Sequence, residues 1–346
     1  MFNKDFMNLT SLTASVNKEP FKETTLSRFF TTGRVASTDV KIERQGTTLT
    51  LIDPTARGVP APNAENFKPG RTHFTIESVK LGRVVNFNAA HLQNVRAFGT
   101  EDQLETWEQV LARDTRTVRR WIENTHEFMR MKTLKGIQVD SEDNELFNFF
   151  TAAGVTPYTP IEIDYDGITR RQLQNVWADV ADYVRDGLDG NPDAARGIII
   201  LHGKNSWRRF RSSDPVAALY ERFQEGAVNR EGIGGQRRVF NIFDIGHMQY
   251  FGAGLGDDEW QAVPVVDGLF NTDFTPLDNP EVANTLGLPL YATPEEMPFG
   301  KSWAVELASL PIHSVTQPGC LIGGTSTGSI DGTVPEEPEA PEGGES

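Results

Sequence analysis

The 346-residue chain is poor in features that would place it in several common protein classes. Its one cysteine, Cys320, excludes an internal disulfide, is typical of a reducing compartment, and is expected to be a small buried side chain. No apolar run approaches the roughly 20 residues that a membrane-spanning helix needs. The first residues, MFNKDFMNLT, lack the apolar core of a signal peptide. These absences predict a soluble, cytosolically made protein without a membrane partner.

Positive charge is also scarce. There are 33 Lys and Arg against 48 Asp and Glu, the formal net charge is −15 at pH 7, and no Lys or Arg follows Lys301. Because phosphate contacts need clustered basic side chains, this composition argues against a nucleic-acid-binding surface.

Motifs for catalysis or cofactor binding are missing. The six histidines have no metal-ligand spacing, and there is no HExxH, P-loop or GxSxG. Gly252, Gly254 and Gly256 lie in GAGLGDD, which leads into acidic residues that would repel a phosphate, so we interpret it as a loop. Asp164 and Asp166 lack the rest of a calcium-loop pattern. We therefore expect no catalytic residues, no cofactor and no metal.

What the sequence does contain is a long helical pattern over residues 101–135. Thr100 and Gln103 form a capping box, and Gly136 suits a left-handed C-terminal position. Such a helix would span roughly 50 Å, about the diameter of a compact globule of this length, which favours a flattened subunit that tiles. A coiled coil is the alternative, but a sustained Leu/Ile heptad is absent. The apolar stripe, at spacings of three and four, is Leu104, Trp107, Leu111, Val118, Trp121, Ile122, Thr125, Phe128 and Met129.

Two N-terminal segments have too little apolar content for cores of their own. Residues 1–30 are polar with isolated phenylalanines, which predicts either a disordered leader or an arm that docks on another surface. Residues 37–87 combine a hairpin pattern around Gln45-Gly46, a Pro- and Gly-rich stretch and the strand pattern THFTIESVKLGRVVNF. We interpret them as a long two-stranded excursion with an irregular tip. Both segments are expected to become ordered only on adjacent subunits.

The rest of the chain mixes helix and strand patterns. A hairpin is predicted over IQVD and ELFNFF, a helix after the cap Thr169 with Gln172, a buried strand at 198–201 and a helix from Asp214. KSWAVELASLPIHSV is the last strand candidate. Residues 324–346 lack periodicity and are predicted to be a disordered acidic tail. This order indicates an α+β fold.

Arginine clusters allow two interpretations. They are either solvated faces with local ion pairs, or charge complementarity between identical subunits of an otherwise acidic chain. The clusters are Arg116, Arg119 and Arg120; Arg208, Arg209 and Arg211; and Arg237 and Arg238.

A series of ordered blocks carries a family resemblance over about residues 20–323. The N-terminal blocks are LSRFF, VKIERQGTTLTLIDPTARGVP and HEFMRMKTLKG. The C-terminal blocks are FRSSDPVAALYERF, RVFNIFDIGHMQYFGA, VDGLFNTDFTPLDNPEVANTLGLPLYA and ELASLPIHSVTQPGCLIG. Together they resemble the lambda-type phage major capsid protein family (major capsid protein E), whose members adopt the HK97-like fold.

The resemblance implies a division of the chain and a structural role. Residues 1–36 would be an N-terminal arm, 37–87 the extended loop (E-loop), 88–154 and 296–323 the peripheral domain with spine helix 101–135, 155–295 the axial domain and 324–346 the tail. The protein would self-assemble into pentamers and hexamers of an icosahedral shell around viral double-stranded DNA. Candidate inter-subunit contacts are Arg28, Phe29, Phe30, Arg57, Lys68, Arg71, Arg116, Arg119 and Arg120. Some HK97-fold relatives crosslink a lysine to an asparagine, but no motif supports this for Lys68.

The implied partners are further copies of the chain, a separate scaffolding protein, a portal, packaged DNA bound without specificity and, as a further option, a decoration protein. The implied location is the virion capsid, assembled in the host cytoplasm. Two other hypotheses remain: another virion component, such as a decoration or tail protein, and a hydrolase that uses Asp257, Asp258 or Glu259.

Overall fold

The computed structural model describes residues 8–18, 21–45, 71–88, 107–140, 142–188, 195–225, 240–243, 245–298 and 302–330. Within these ranges the helices are α1 (Leu9–Val16), α2 (Trp107–Leu134), α3 (Phe149–Ala153), α4 (Arg170–Asp186), α5 (Lys204–Ser212) and α6 (Asp214–Glu225). Short 3-10 helices cover Ser27–Phe29 and Pro318–Cys320.

The strands of the described residues follow in chain order. The first eight are β1 (Phe30–Arg34), β2 (Asp39–Gln45), β3 (Arg71–Glu77), β4 (Leu81–Asn88), β5 (Ile137–Val139), β6 (Glu145–Asn148), β7 (Ile161–Asp164) and β8 (Ile198–His202). The remainder are β9 (Phe240–Ile242), β10 (Ile245–Gln249), β11 (Glu259–Pro264), β12 (Phe270–Phe274), β13 (Tyr291–Glu296), β14 (Ser302–Ser309), β15 (Pro311–Val315) and β16 (Gly323–Thr327).

A six-stranded mixed sheet, in the order β7-β16-β11-β8-β10-β9, has the predicted apolar strand β8 near its centre. β8 pairs with β10 in parallel and with β11 in antiparallel orientation. Helix α4 starts at the predicted capping box, in which the Thr169 and Gln172 side chains each accept the other's backbone N–H. It buries Trp177 against Trp260 of β11, with ring centroids 5.3 Å apart. This sheet and α4 therefore share one core.

Strand β16 lies inside this sheet, between β7 and β11. It runs parallel to β7, and a Cβ at Gly324 would overlap the carbonyl of Ile161, so glycine permits the close approach of the two strands. The prediction of a disordered tail from Gly324 is therefore wrong over 324–327. Its cause is composition: GGTST carries no apolar side chain that would indicate a strand. Residues 331–346 lie outside the described residues.

Two three-stranded sheets, β1-β12-β15 and β13-β14-β4, form the other half of the molecule, and α2 packs on β4, β14 and β15. Val118 and Ile122 of α2 share a core cluster with Val305 and Leu307 of β14. These sheets differ from the predicted division in one respect. β12 and all but the last residue of β13 fall within 155–295, but they pair with β15 and β14, which lie beyond it.

The structure also differs from the prediction of one two-stranded excursion over residues 37–87. Strand β2 pairs with β3 from Asp39↔Glu77 to Gln45↔Arg71, whereas β4 joins β14 and is not part of the excursion. The run THFTIESVKLGRVVNF is thus two strands in two sheets. The predicted hairpin partner at Leu49 and Leu51, and the irregular tip, lie outside the described residues.

Helix α2 confirms the predicted long helix over Trp107–Leu134, about 42 Å at 1.5 Å per residue. Its predicted first turn, with the Thr100 cap, lies outside the described residues. Its end is as expected: Gly136 has φ +85°, and a Cβ there would overlap the Phe150 ring.

Local capping explains two smaller errors. The predicted strand ELFNFF ends at Asn148, whose Oδ1 accepts the N–H of Thr151 at 3.1 Å and starts α3. The sequence does not predict helix α5, because KNSWRRFRS contains only two apolar side chains, Trp207 and Phe210. Cys320 is fully buried, as predicted.

Candidate assembly surface

Helix α2 presents three faces to different surroundings. The first is apolar and buried, and includes Val118, Ile122 and Met129. The second, called here the polar buried face, consists of Arg119, Glu123, His126, Glu127 and Arg130, each at most 9% exposed. The third, called the exposed face, consists of Arg113, Arg116, Thr117, Arg120, Trp121 and Asn124. Spacings of three and four residues keep each set on its own side of the helix.

The polar buried face holds the N-terminal segment of the same chain. Glu127 accepts the backbone N–H of Leu26 at 3.1 Å and the hydroxyl of Thr24. Glu123 accepts the N–H of Lys22 at 3.2 Å. Because a carboxylate roughly doubles the strength of such bonds relative to neutral acceptors, two glutamates one turn apart position this segment along the helix.

Helix α1 is attached in a similar way. The Asn8 side chain caps its first turn, accepting from the N–H of Ser11 at 2.7 Å. The Thr13 hydroxyl accepts the N–H of Ala292 at 3.1 Å, and the Asn17 amide donates to the Leu290 carbonyl at 2.7 Å. α1 therefore lies against β13.

The exposed face of α2 combines arginine with a large aromatic side chain. Trp121 is 55% exposed, although tryptophan is usually largely buried. Arg116 and Arg120 are exposed, and within the described part of the chain neither has a carboxylate within 4 Å. Trp and Arg are among the side chains most enriched at binding hot spots. This face has the composition of an interface.

Four more apolar side chains are exposed elsewhere on the described surface. They are Val84, Leu146, Phe251 and Leu286, at 56%, 49%, 66% and 62%. They lie on different elements, so they do not form a further face of one helix or strand.

Comparison with known proteins decides the family. The family model described as phage major capsid protein E matches residues 8–326. The chain belongs to that family. It is a capsid protein that forms shells, and its fold is HK97-like. A search of curated proteins gives no match.

Two solved structures support the fold. One, described as the putative capsid protein of a prophage in E. coli CFT073, has a TM-score of 0.55 at 10% identity and covers 92% of this chain and 99% of its own. The other, the capsid of cyanophage P-SCSP1u, has a TM-score of 0.50 at 10% identity and covers 90% of each chain.

In the capsid protein, the candidate contact residues fall into three groups. Phe30 and Arg119 are buried in their own chain: the Phe30 ring is 5.3 Å from Phe270, and Arg119 pairs with Glu123 at 3.2 Å and donates to the Val16 carbonyl. Arg28, Arg116 and Arg120 are exposed, and Phe29 is half-buried under Arg28. Arg57, Lys68 and the Arg71 side chain lie outside the described residues.

The expectation that the arm becomes ordered only on adjacent subunits is wrong for its described residues. Leu9, Leu26 and Phe30 are each at most 5% exposed within their own chain. The base of the excursion is also held there, since Ile42, Phe74 and Ile76 join the largest core cluster. Glu123 and Glu127 of α2 hold residues 22–26 of the arm, and the apolar content of the arm alone did not reveal this attachment.

Two buried histidine pairs were also missed by sequence reasoning. His126 Nδ1 lies 3.1 Å from His313 Nε2, and His202 Nε2 lies 3.0 Å from His247 Nδ1. Burial lowers the pKa of His126 and of His202 to about 3, and lowers the pKa values of His247 and His313 well below the usual value. The imidazoles are therefore neutral at pH 7 and link side chains distant in sequence.

Two of the three acidic residues considered for hydrolysis have ion-pair partners in the capsid protein. Asp258 pairs with Arg209 at 2.5 Å, and Glu259 pairs with Lys135 at 2.6 Å. Among the described residues no group of three or more His, Cys, Asp or Glu has the arrangement of a metal site. No described helix is long and apolar enough to cross a membrane.

Proposed function

We propose that the capsid protein assembles into pentamers and hexamers of an icosahedral shell around viral double-stranded DNA, and that the exposed face of α2 is one surface on which neighbouring copies meet. The observation that carries this surface is Trp121, more than half exposed between arginines that have no carboxylate within 4 Å among the described residues. In a chain of net charge −15, Arg116 and Arg120 would find carboxylates on almost any neighbouring copy.

The excursion is proposed as a second contact. Its base, β2 with β3, is anchored in its own subunit through Ile42, Phe74 and Ile76. Because this base is held in its own subunit, residues 46–70 start and end at fixed points, which lowers the entropy cost of binding a neighbour. We assign Arg57, Lys68 and Arg71 to this contact.

We also propose a division into domains, which the pairing of the strands supports. We assign the six-stranded sheet with α4, α5 and α6 to the axial domain, and the two three-stranded sheets with α2 to the peripheral domain. The N-terminal arm is assigned to the peripheral domain of its own subunit, which its bonds to Glu123 and Glu127 support.

The further partners are proposed from the family. They are a scaffolding protein, a portal, a decoration protein and the packaged DNA, with assembly in the host cytoplasm. The DNA contact is proposed from the family alone, since phosphate contacts need clustered basic side chains and the composition of the chain is acidic.

A charge reversal on the exposed face tests the main proposal. Arg120→Glu combined with Trp121→Ala removes an aromatic anchor and adds like charge, so we expect the yield of shells to fall at least about tenfold. Shells are counted by sedimentation velocity and negative-stain electron microscopy, with scaffolding protein present.

The matched control is Arg171→Glu, an exposed arginine on α4. It changes the net charge in the same direction as Arg120→Glu and should leave the shell yield unchanged. Normal shells from the Arg120/Trp121 variant, at unaltered thermal stability, would exclude the exposed face as a contact. The same assay with Arg57→Glu, against Lys41→Glu at the base of the excursion, tests the second contact.

A further inference from the structure

A cavity of about 400 Å³ lies between the N-terminal segment, α2 and the β12 sheet. Its deeper lining includes Arg119, His126 and Arg130, which are at most 8% exposed. Its outer lining includes the exposed Lys22 and Arg34. The cavity thus opens from solvent onto charged groups that are largely removed from water.

The lining is strongly basic in a chain that is acidic as a whole. It contains Lys22, Arg28, Arg34, Arg119 and Arg130, against Glu23 and Glu123. Five positive and two negative groups leave an excess of three positive charges. One of the acids, Glu123, is already bonded to Arg119 and to the N–H of Lys22. The cavity therefore attracts anions.

Arg130 is the most informative member. The residue is 8% exposed, and its Nε donates a long bond of 3.4 Å to the Thr272 hydroxyl. Within the described part of the chain it has no carboxylate within 4 Å, since Glu127, one turn earlier, is bonded to Leu26 and Thr24. Burial lowers the pKa of Arg130 from its usual value.

The Arg130 guanidinium contacts the Phe30 ring at 5.7 Å and makes one long hydrogen bond to Thr272. Its planar group has donors left for the two oxygens of a carboxylate. Phe21, Phe274 and Pro289 also line the cavity and supply apolar surface beside the charges. A peptide ligand with both carboxylates and prolines would match this lining.

The chain contains such a segment. Residues 331–346 have six acidic side chains and no basic one, and prolines recur every third residue at Pro335, Pro338 and Pro341. This spacing favours a polyproline II conformation in a bound peptide, which binds grooves lined by aromatic side chains. Sixteen residues in extended form reach about 55 Å from Ile330.

We propose that this cavity binds the acidic C-terminal tail, residues 331–346, with a tail glutamate paired to Arg130 and others to the outer Lys22 and Arg34. The proposal is independent of the inter-subunit contacts proposed above, because it is measured on unassembled protein.

The test uses a fluorescently labelled synthetic peptide of residues 331–346 and a chain that ends at Ile330. Fluorescence anisotropy should detect binding that weakens at least about fivefold when salt rises from about 50 to about 300 mM, since the contacts are ionic. A peptide with every Glu replaced by Gln should bind at least about tenfold more weakly. The full-length chain should bind the labelled peptide several-fold more weakly than the shortened chain, because its own tail competes.

Variants locate the site. Arg34→Glu, on the exposed rim, should weaken peptide binding at least about fivefold, whereas the matched change Arg171→Glu on α4 should not. Arg130→Gln should abolish binding; if that variant fails to fold, Arg34→Glu still decides. Absence of binding, equal binding by full-length and shortened chains, equal effects of Arg34→Glu and Arg171→Glu, or equal affinity for a poly-glutamate peptide of the same length would overturn the proposal.

Discussion

Arginine occurs on two faces of α2 with opposite surroundings. On the polar buried face, Arg119 and Arg130 are enclosed by the N-terminal segment of the same chain, and Arg119 has both Glu123 and a carbonyl as partners. On the exposed face, Arg116 and Arg120 have solvent around them and Trp121 beside them.

The difference shows that residue type alone does not separate internal from external contacts. A buried charge is stable only where hydrogen-bond partners surround it, so its partners are part of the fold. An exposed charge contributes little to the stability of the fold, but it can strengthen or weaken the binding of another molecule. Changes on the buried faces should therefore affect unfolding, and changes on the exposed face should affect assembly.

Among the changes that concern buried groups, lowering the pH should produce the largest loss in the free energy of unfolding. His126, His202, His247 and His313 have lowered pKa values when folded, so the unfolded chain binds more protons below about pH 6.5. Stability is then present above about pH 6.5 and is lost as pH falls. The loss from pH 7 to 5.5 is at most about 5 kcal/mol for four such groups.

Urea unfolding of the unassembled protein at several pH values between about 7 and about 5.5 measures this loss. His126→Gln removes one titrating group from the polar buried face and should reduce the slope of stability against pH, whatever it does to the stability at neutral pH. A free energy of unfolding that stays constant over this range would contradict the neutral buried pairs.

Substitutions of two adjacent residues allow the apolar buried face and the exposed face of α2 to be compared. Ile122→Ala leaves a cavity against β14 and should lower the free energy of unfolding by about 3 kcal/mol. Trp121→Ala, one position away, should change it by less than about 0.5 kcal/mol. Chemical denaturation of both variants checks the pair. Equal losses would show that Trp121 is part of the folded core.

Two glutamates, one buried and one exposed, allow a smaller comparison. Glu127→Gln weakens the bonds from Leu26 and Thr24 and leaves buried Arg130 without its nearest negative charge, so we expect a loss of about 2 kcal/mol. Glu142→Gln, in the exposed turn between β5 and β6, makes the same chemical change and is the control. It should be neutral within about 0.5 kcal/mol.

Protease cleavage near residue 20 gives a second measurement on these variants. It should accelerate in Glu127→Gln and not in Glu142→Gln. If cleavage is unchanged in Glu127→Gln, Glu127 does not hold the arm.

Sequence patterns identified the parts of the fold that depend on neighbours in the chain. The α2 terminus at Gly136, the capping box of Thr169 and the apolar strand β8 are each determined within a few residues, and each is confirmed. The ordered blocks also identified the family. These features need no knowledge of distant residues.

What the sequence did not reveal depends on partners far apart in the chain. Glu127 binds Leu26 across 101 residues, and His126 meets His313 across 187. β16 is a strand because β7 and β11 offer it hydrogen bonds, and not because of its own side chains. The same limit applies to the candidate contacts: Arg119 and Arg120 are adjacent in sequence, and only the structure shows that one is buried.

The position of β16 also sets an order of events during synthesis. In the described residues, β7 reaches the rest of its sheet only through β16, although β7 ends at Asp164 and β16 begins much later in the chain, at Gly323. A nascent chain therefore cannot complete this sheet before residues 323–327 have left the ribosome. A chain that stops short of Gly323 would leave β7 without the strand that joins it to β11.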